Sequence, residues 1–163
     1  MKKILIVCLG LATVLAFLIV YSGADEEMPS PNGEEFWTYI TETNSYKMWD
    51  HWPGYPDMYP GQSPHGAYLK LYVNDIAHEA IQNGKETMPD GAIIIKENYG
   101  KDKESLMAIT PMYKVKDYDP DAGNWFWAKY GAKGKIMASG KVEGCINCHK
   151  SKKENDWLFT EIK

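Results

Sequence analysis

Near the end of the chain, Cys145-Ile146-Asn147-Cys148-His149 places two thiols three positions apart, with an imidazole directly after the second. Two thiols so spaced on a turn of helix can each add to a vinyl group of one haem, and the next residue then points its imidazole at the iron. C-x-x-C-H is the pattern of covalent haem attachment. Gly144 just before it permits a tight entry. Cys145 and Cys148 are therefore read as tethers of one haem c, and His149 as the proximal iron ligand. Three other chemistries use cysteines of this kind. A thiol redox site is expected near the start of a helix in a βαβ pattern, and no such pattern precedes Cys145. A zinc site needs four ligands, yet His51, His65 and His78 are scattered and no second cysteine pair follows the signal-like start. A disulfide between Cys145 and Cys148 would have no need of His149.

The start of the chain supports attachment outside the cytoplasm. Met1-Lys2-Lys3 leads into residues 4–20, which are apolar apart from Thr13, and small residues precede Asp25-Glu26-Glu27. This is the pattern of a secretory signal, with cleavage expected after Ala24. Residues 1–24 are thus a signal peptide and 25–163 the working domain, periplasmic or secreted. The apolar run of about 17 residues is also near the length of a short spanning helix. An uncleaved anchor in the inner membrane is the alternative. Cys8 follows Val7 rather than the small residue of a lipoprotein site, so it is apolar filler.

Composition narrows the partners. Formal charge is -4. It becomes -6 when Lys2 and Lys3 leave, with 16 Lys against 22 Asp and Glu. An acidic domain gains nothing from phosphates, which excludes nucleic acid as a partner. The chain has no arginine, so any clamp on a carboxylate must use Lys, Tyr, Trp or backbone N–H groups. Aromatic residues make up 13% of the chain, with six Trp and eleven Tyr, which suits either a flat cofactor or an aromatic β core.

These residues need a scaffold, and the side-chain periods suggest one. Residues 34–47 carry Phe36, Trp37, Ile40 and Tyr46 at helical spacing. Residues 50–66 hold four prolines and three glycines, and are expected to be an irregular aromatic loop. From residue 67 the period becomes two: Leu69, Leu71 and Val73 share one face, Tyr68, Lys70 and Tyr72 the other. Asn74 or Asp75 caps a short helix that ends near Gly84. A strand over 92–99 turns Ile93 and Ile95 one way, Ile94 and Lys96 the other. A third, over 105–116, is interrupted or put at an edge by Pro111. A fourth, over 124–130, has Trp125 and Trp127 on one face, and a fifth runs near 136–139. The expected class is α+β: a mostly antiparallel sheet of four or five strands, a few flanking helices and a C-terminal haem-attachment helix.

The sequence resembles the cytochrome P-460 family, which includes the cytochromes c′-beta. The resemblance is carried by residues 67–75 and 90–97, Gly-Asn-Trp at 123–125, Cys145 through Lys150, and residues 156–160. It spans nearly the whole mature domain. It implies a β-sheet haem protein of the bacterial periplasm, often a homodimer. The Lys run at 150–153 is a solvated face or a dock for an acidic redox partner protein. In cytochromes P-460 a lysine in the position of Lys96 is cross-linked to the haem edge, and a distal carboxylate assists the oxidation of hydroxylamine. Here that carboxylate's position falls near Met112, and no Asp or Glu lies between Leu106 and Lys116. The c′-beta branch has instead an apolar pocket that binds gases such as nitric oxide. Lys96 is a candidate cross-link, a partner of a haem propionate or a surface lysine at a strand end, and Met112 a candidate pocket residue, a sixth ligand or ordinary core. His65 is a candidate second imidazole or a turn-fixing residue. Three functions stay open: binding or redox conversion of small nitrogen ligands at an open haem face, electron transfer by a six-coordinate haem, and gas binding without turnover.

Overall fold

Side-chain alternation decides the architecture, because buried residues face both ways from its strands. In the computed structural model, which describes residues 27–162, the elements run helix α1 (Gly33–Thr38), strands β1 (Asp50–His51), β2 (Tyr59–Pro60) and β3 (Tyr68–Val73), and helix α2 (Asp75–Gln82). Strands β4 (Ile93–Tyr99), β5 (Leu106–Lys114), β6 (Trp125–Gly131) and β7 (Ile136–Gly140) follow, then helix α3 (Glu143–His149). The strands form one antiparallel sheet in the order β1-β3-β4-β5-β6-β7, and β2 pairs with β3 beyond β1. The class is α+β, as expected. The proposed signal peptide, residues 1–24, lies outside the described residues, as does Cys8.

Each face of the sheet carries its own core. One face packs Leu71, Val73, Ile94, Met112, Trp125 and Trp127 against α2 and the C-terminal Trp157, Leu158 and Ile162. The other packs Ile93, Ile95, Tyr113, Phe126 and Tyr130 against Phe36 and Ile40 of the N-terminal helical segment. Register fixes what is adjacent. Val73, Ile94, Met112 and Trp127 lie side by side on four neighbouring strands, and Lys96 is flanked by Leu71 and Thr110. Outside them β7 offers only Ala138 and Gly140, opposite Lys129 and Trp127, so little side-chain volume covers that end of the face.

Local chemistry explains the boundaries. Asn74 caps α2: its Oδ1 accepts from the N–H of Ala77 at 3.1 Å and of Ile93 at 2.9 Å, tying the helix start to β4. The expected helix over 34–47 is broken into α1, a π-helical turn (Tyr39–Thr43) and a 3₁₀ turn (Tyr46–Met48). Thr41 Oγ1 donates back to the Trp37 carbonyl at 2.7 Å, a bond that competes with regular helix. The aromatic loop is not wholly irregular, because β1 and β2 form within it. Each has two residues and pairs only with β3, and this raises the strand count to seven. Pro111 is not at an edge: it is fully buried in β5, between β4 and β6. The interruption is real, since the pairing of β5 with β6 skips Thr110 and Pro111.

Candidate cofactor-binding site

Helix α3 presents the motif. It starts as Val142 accepts from the N–H of Cys145 and of Ile146, both at 3.0 Å. Cys145 and His149, four residues apart, share a helix face. Cys145 is half-buried against the core, Cys148 is exposed, and both are free thiols. His149 is buried, and its Nδ1–H donates to the Trp157 carbonyl at 2.7 Å. Burial, with Lys96 nearby, pushes its pKa down to about 4. The ring is therefore neutral, with its lone pair on Nε2.

Distant residues hold that carbonyl in place. Asp156 and Trp157 are both left-handed, at φ 49 and 67. Lys114 Nζ donates to Asp156 Oδ1 at 2.5 Å, the Met88 N–H to its Oδ2 at 2.8 Å, and Trp125 Nε1–H to its carbonyl at 2.9 Å. Gly123, at φ +69, lies under the Trp157 ring; a Cβ there would stand 2.5 Å from Trp157 Cδ1. Residues 156–160 carry part of the family resemblance, but no sequence signal assigns Lys114, Asp156 or Trp157 a part in holding His149.

Between α3 and the sheet lies a cavity of ≈ 300 Å³, lined by Leu71, Ile94, Met112, Trp127, Cys145 and His149 among others. A second lobe of ≈ 320 Å³ opens beside it, under Tyr55, Tyr59 and Gln62. The lobes share His65, Lys96, Cys148 and Phe159. Cys145, Cys148, His149, Lys96, Met112 and His65, all candidates from the sequence, thus line one site. No Asp or Glu lines either lobe. His51 stacks edge-on against Tyr72 at 4.6 Å, and His78 approaches Asp50 at 3.8 Å; neither lines the cavity.

Two polar groups in the cavity lack partners. The Lys96 ammonium has no hydrogen bond or ion pair among the described residues, and burial, partly offset by Cys148, pushes its pKa down to about 8. Trp127 Nε1–H is buried without an acceptor. Unsatisfied buried donors are rare and point to a missing partner. With two thiols at the mouth, an imidazole whose Nε2 is free and apolar walls, the donor set fits a haem. A zinc site lacks donors: among the described residues no three His, Cys, Asp or Glu side chains gather. The sheet is antiparallel, so the helix carrying the cysteines is not that of a βαβ thiol redox fold.

The comparisons agree with this chemistry. A family model described as Cytochrome P460 matches residues 43–160, from the end of the π-helical turn to the segment behind His149. No curated protein matches the chain.

Proposed function

The chain belongs to the cytochrome P460 family and is a haem cytochrome, and from that premise we propose an exported monohaem c-type cytochrome that takes up small nitrogen ligands such as hydroxylamine or nitric oxide. One haem is tethered through Cys145 and Cys148 and ligated by His149 Nε2. The observation that carries this reading is the 2.7 Å bond from His149 Nδ1–H to the Trp157 carbonyl. It turns the metal-binding nitrogen away from the backbone, in a cavity that both cysteines line. When bound, the haem supplies an iron centre that holds a nitrogen atom and exchanges electrons with it.

The chain's own side chains supply the rest. Leu71, Ile94 and Met112 exclude water, and Trp127 Nε1–H offers a hydrogen bond. Lys96, without a counter-ion, is assigned as the cross-link to the haem edge. An N–H and a C–H are replaced by one N–C bond, and the two protons and two electrons released reduce one molecule of hydrogen peroxide, supplied from outside the protein, to two of water. With no carboxylate in either lobe, no Asp or Glu is in place to take protons from hydroxylamine. Ligand binding is favoured over hydroxylamine turnover. Export through residues 1–24 follows from the same reading, because the tethers form outside the cytoplasm.

The test is the holoprotein made in a host competent for cytochrome maturation. Mass spectrometry should find one added haem, and nitric oxide should change the optical spectrum. Digestion should yield a haem joined both to the Cys145–Cys148 peptide and to the peptide containing Lys96. Lys96→Ala should lose the second link, keep the haem, and shift the reduced Soret band to the blue. A colourless protein without added mass sinks the proposal. A lysine–haem bond that persists in Lys96→Ala sinks the role of Lys96.

A further inference from the structure

His65 stands in the loop between β2 and β3 and lines both lobes of the cavity. Its ring centroid lies 6.4 Å from that of His149, with the ring planes 85° apart. The two imidazoles are anchored alike. His65 Nδ1 lies 3.0 Å from Asn98 Oδ1, as His149 Nδ1 lies 2.7 Å from the Trp157 carbonyl. The Asn98 amide cannot be turned round. Its Nδ2 donates to the Ala108 carbonyl at 3.2 Å and to Thr110 Oγ1 at 3.0 Å, while its Oδ1 accepts from the Gly66 N–H at 3.1 Å. His65 therefore carries its proton on Nδ1, and both Nε2 atoms keep a lone pair with no hydrogen-bond partner among the described residues. Gly66 presses this anchor onto β4: a Cβ there would stand 2.6 Å from the Tyr99 backbone nitrogen.

The separation discriminates between roles. Two metal–nitrogen bonds of about 2 Å each, with half an imidazole ring at either end, add up to a centroid distance of this size. A histidine that only hydrogen-bonded to an iron-bound ligand would sit about 3 Å further away. We propose that His65 is a second axial ligand of the haem iron, opposite His149, which closes the site at rest and leaves when a small nitrogen ligand enters. The proposal rests on the reading that His149 holds a haem in this cavity. The loop that carries His65 lies between β2 and the six-residue β3 and contributes no pair to either ladder, so its movement breaks no strand pairing.

Optical and electron paramagnetic resonance spectra of the ferric holoprotein test it. The parent should be low-spin and six-coordinate. His65→Ala should be high-spin, take up nitric oxide at least about tenfold faster because its open fraction is larger, and return to low-spin when imidazole is added. Should His65→Ala fail to fold, His65→Asn, whose side-chain amide nitrogen stands where Nδ1 stood and keeps a donor for Asn98, provides the same comparison. A haem-bearing parent that is already high-spin overturns the axial role of His65 and leaves the proposed function standing. A variant that stays low-spin without added imidazole does the same. A parent without haem overturns both.

Discussion

Lys96 and Glu97 are neighbours on β4 with opposite fates. Lys96 turns to the cavity and finds no partner, whereas Glu97, fully buried on the other face, accepts from Tyr46 Oη at 2.7 Å, Tyr99 Oη at 2.8 Å and Lys47 Nζ. Burial alone would raise the Glu97 pKa, but these donors hold it below the ordinary carboxylate value. A folded pKa below the unfolded one stabilises the native state above the unfolded value of about 4.3, and that stabilisation is lost as pH falls through the folded value. Glu97→Gln should therefore cost about 1–3 kcal/mol near neutral pH, and the gap from the parent should close in acid. Urea unfolding of both proteins at pH 7 and at acid pH checks this; a gap that widens in acid contradicts it. The alternation of residues 92–99 already sent Lys96 and Ile94 to one face. It gave no sign that Glu97 would gather Tyr46, some fifty residues away in the chain.

At the scale of elements, α3 delivers the imidazole, but the segment after it decides how the imidazole is held. Asp156 joins Lys114 of β5, Trp125 of β6 and the Met88 N–H beneath the turn that presents the Trp157 carbonyl. Lys114 and Asp156 are both buried. Breaking such a pair leaves one charge uncompensated, at about 3–5 kcal/mol, while an apolar replacement of both partners is often near neutral. Lys114→Met and Asp156→Leu should each destabilise by about that amount. The double variant should cost less than the sum, a coupling that a double-mutant cycle by chemical denaturation measures. Additive losses would show that the pair does not act as a unit. The strands and α3 follow from local patterns, and the position before an apolar period offers Asn74 or Asp75 as the cap, of which the structure uses Asn74. The ion pair carries no such pattern, because its partners are 42 positions apart.

At the scale of the whole molecule, the two cores differ. The N-terminal face is packed with aromatic rings, including Phe36 stacked on Tyr113 at 5.3 Å, whereas the other face is left open where the two lobes lie. A bound haem would complete this second core. Each 100 Å² of ring surface buried contributes about 2.5 kcal/mol, so the haem-bearing protein should melt at least about 10 °C above a Cys145→Ala/Cys148→Ala form prepared without haem. Calorimetry of the two forms tests this, and equal melting temperatures would mean that the cavity walls gain nothing from the ring.

The sequence by itself determined the outline of the fold and supplied the candidate residues that line the cavity. Thiols and an imidazole three and four positions apart on one helix act through local geometry, and strand periodicity is likewise a property of neighbours. It did not determine the short strands in the aromatic loop, the central place of Pro111, the acceptor behind His149, or the approach of His65 to within 6.4 Å of that ring. Those depend on which strand lies beside which and on how the C-terminal turn packs. Burial and register decide them across dozens of residues, where no short-range spacing carries a signal.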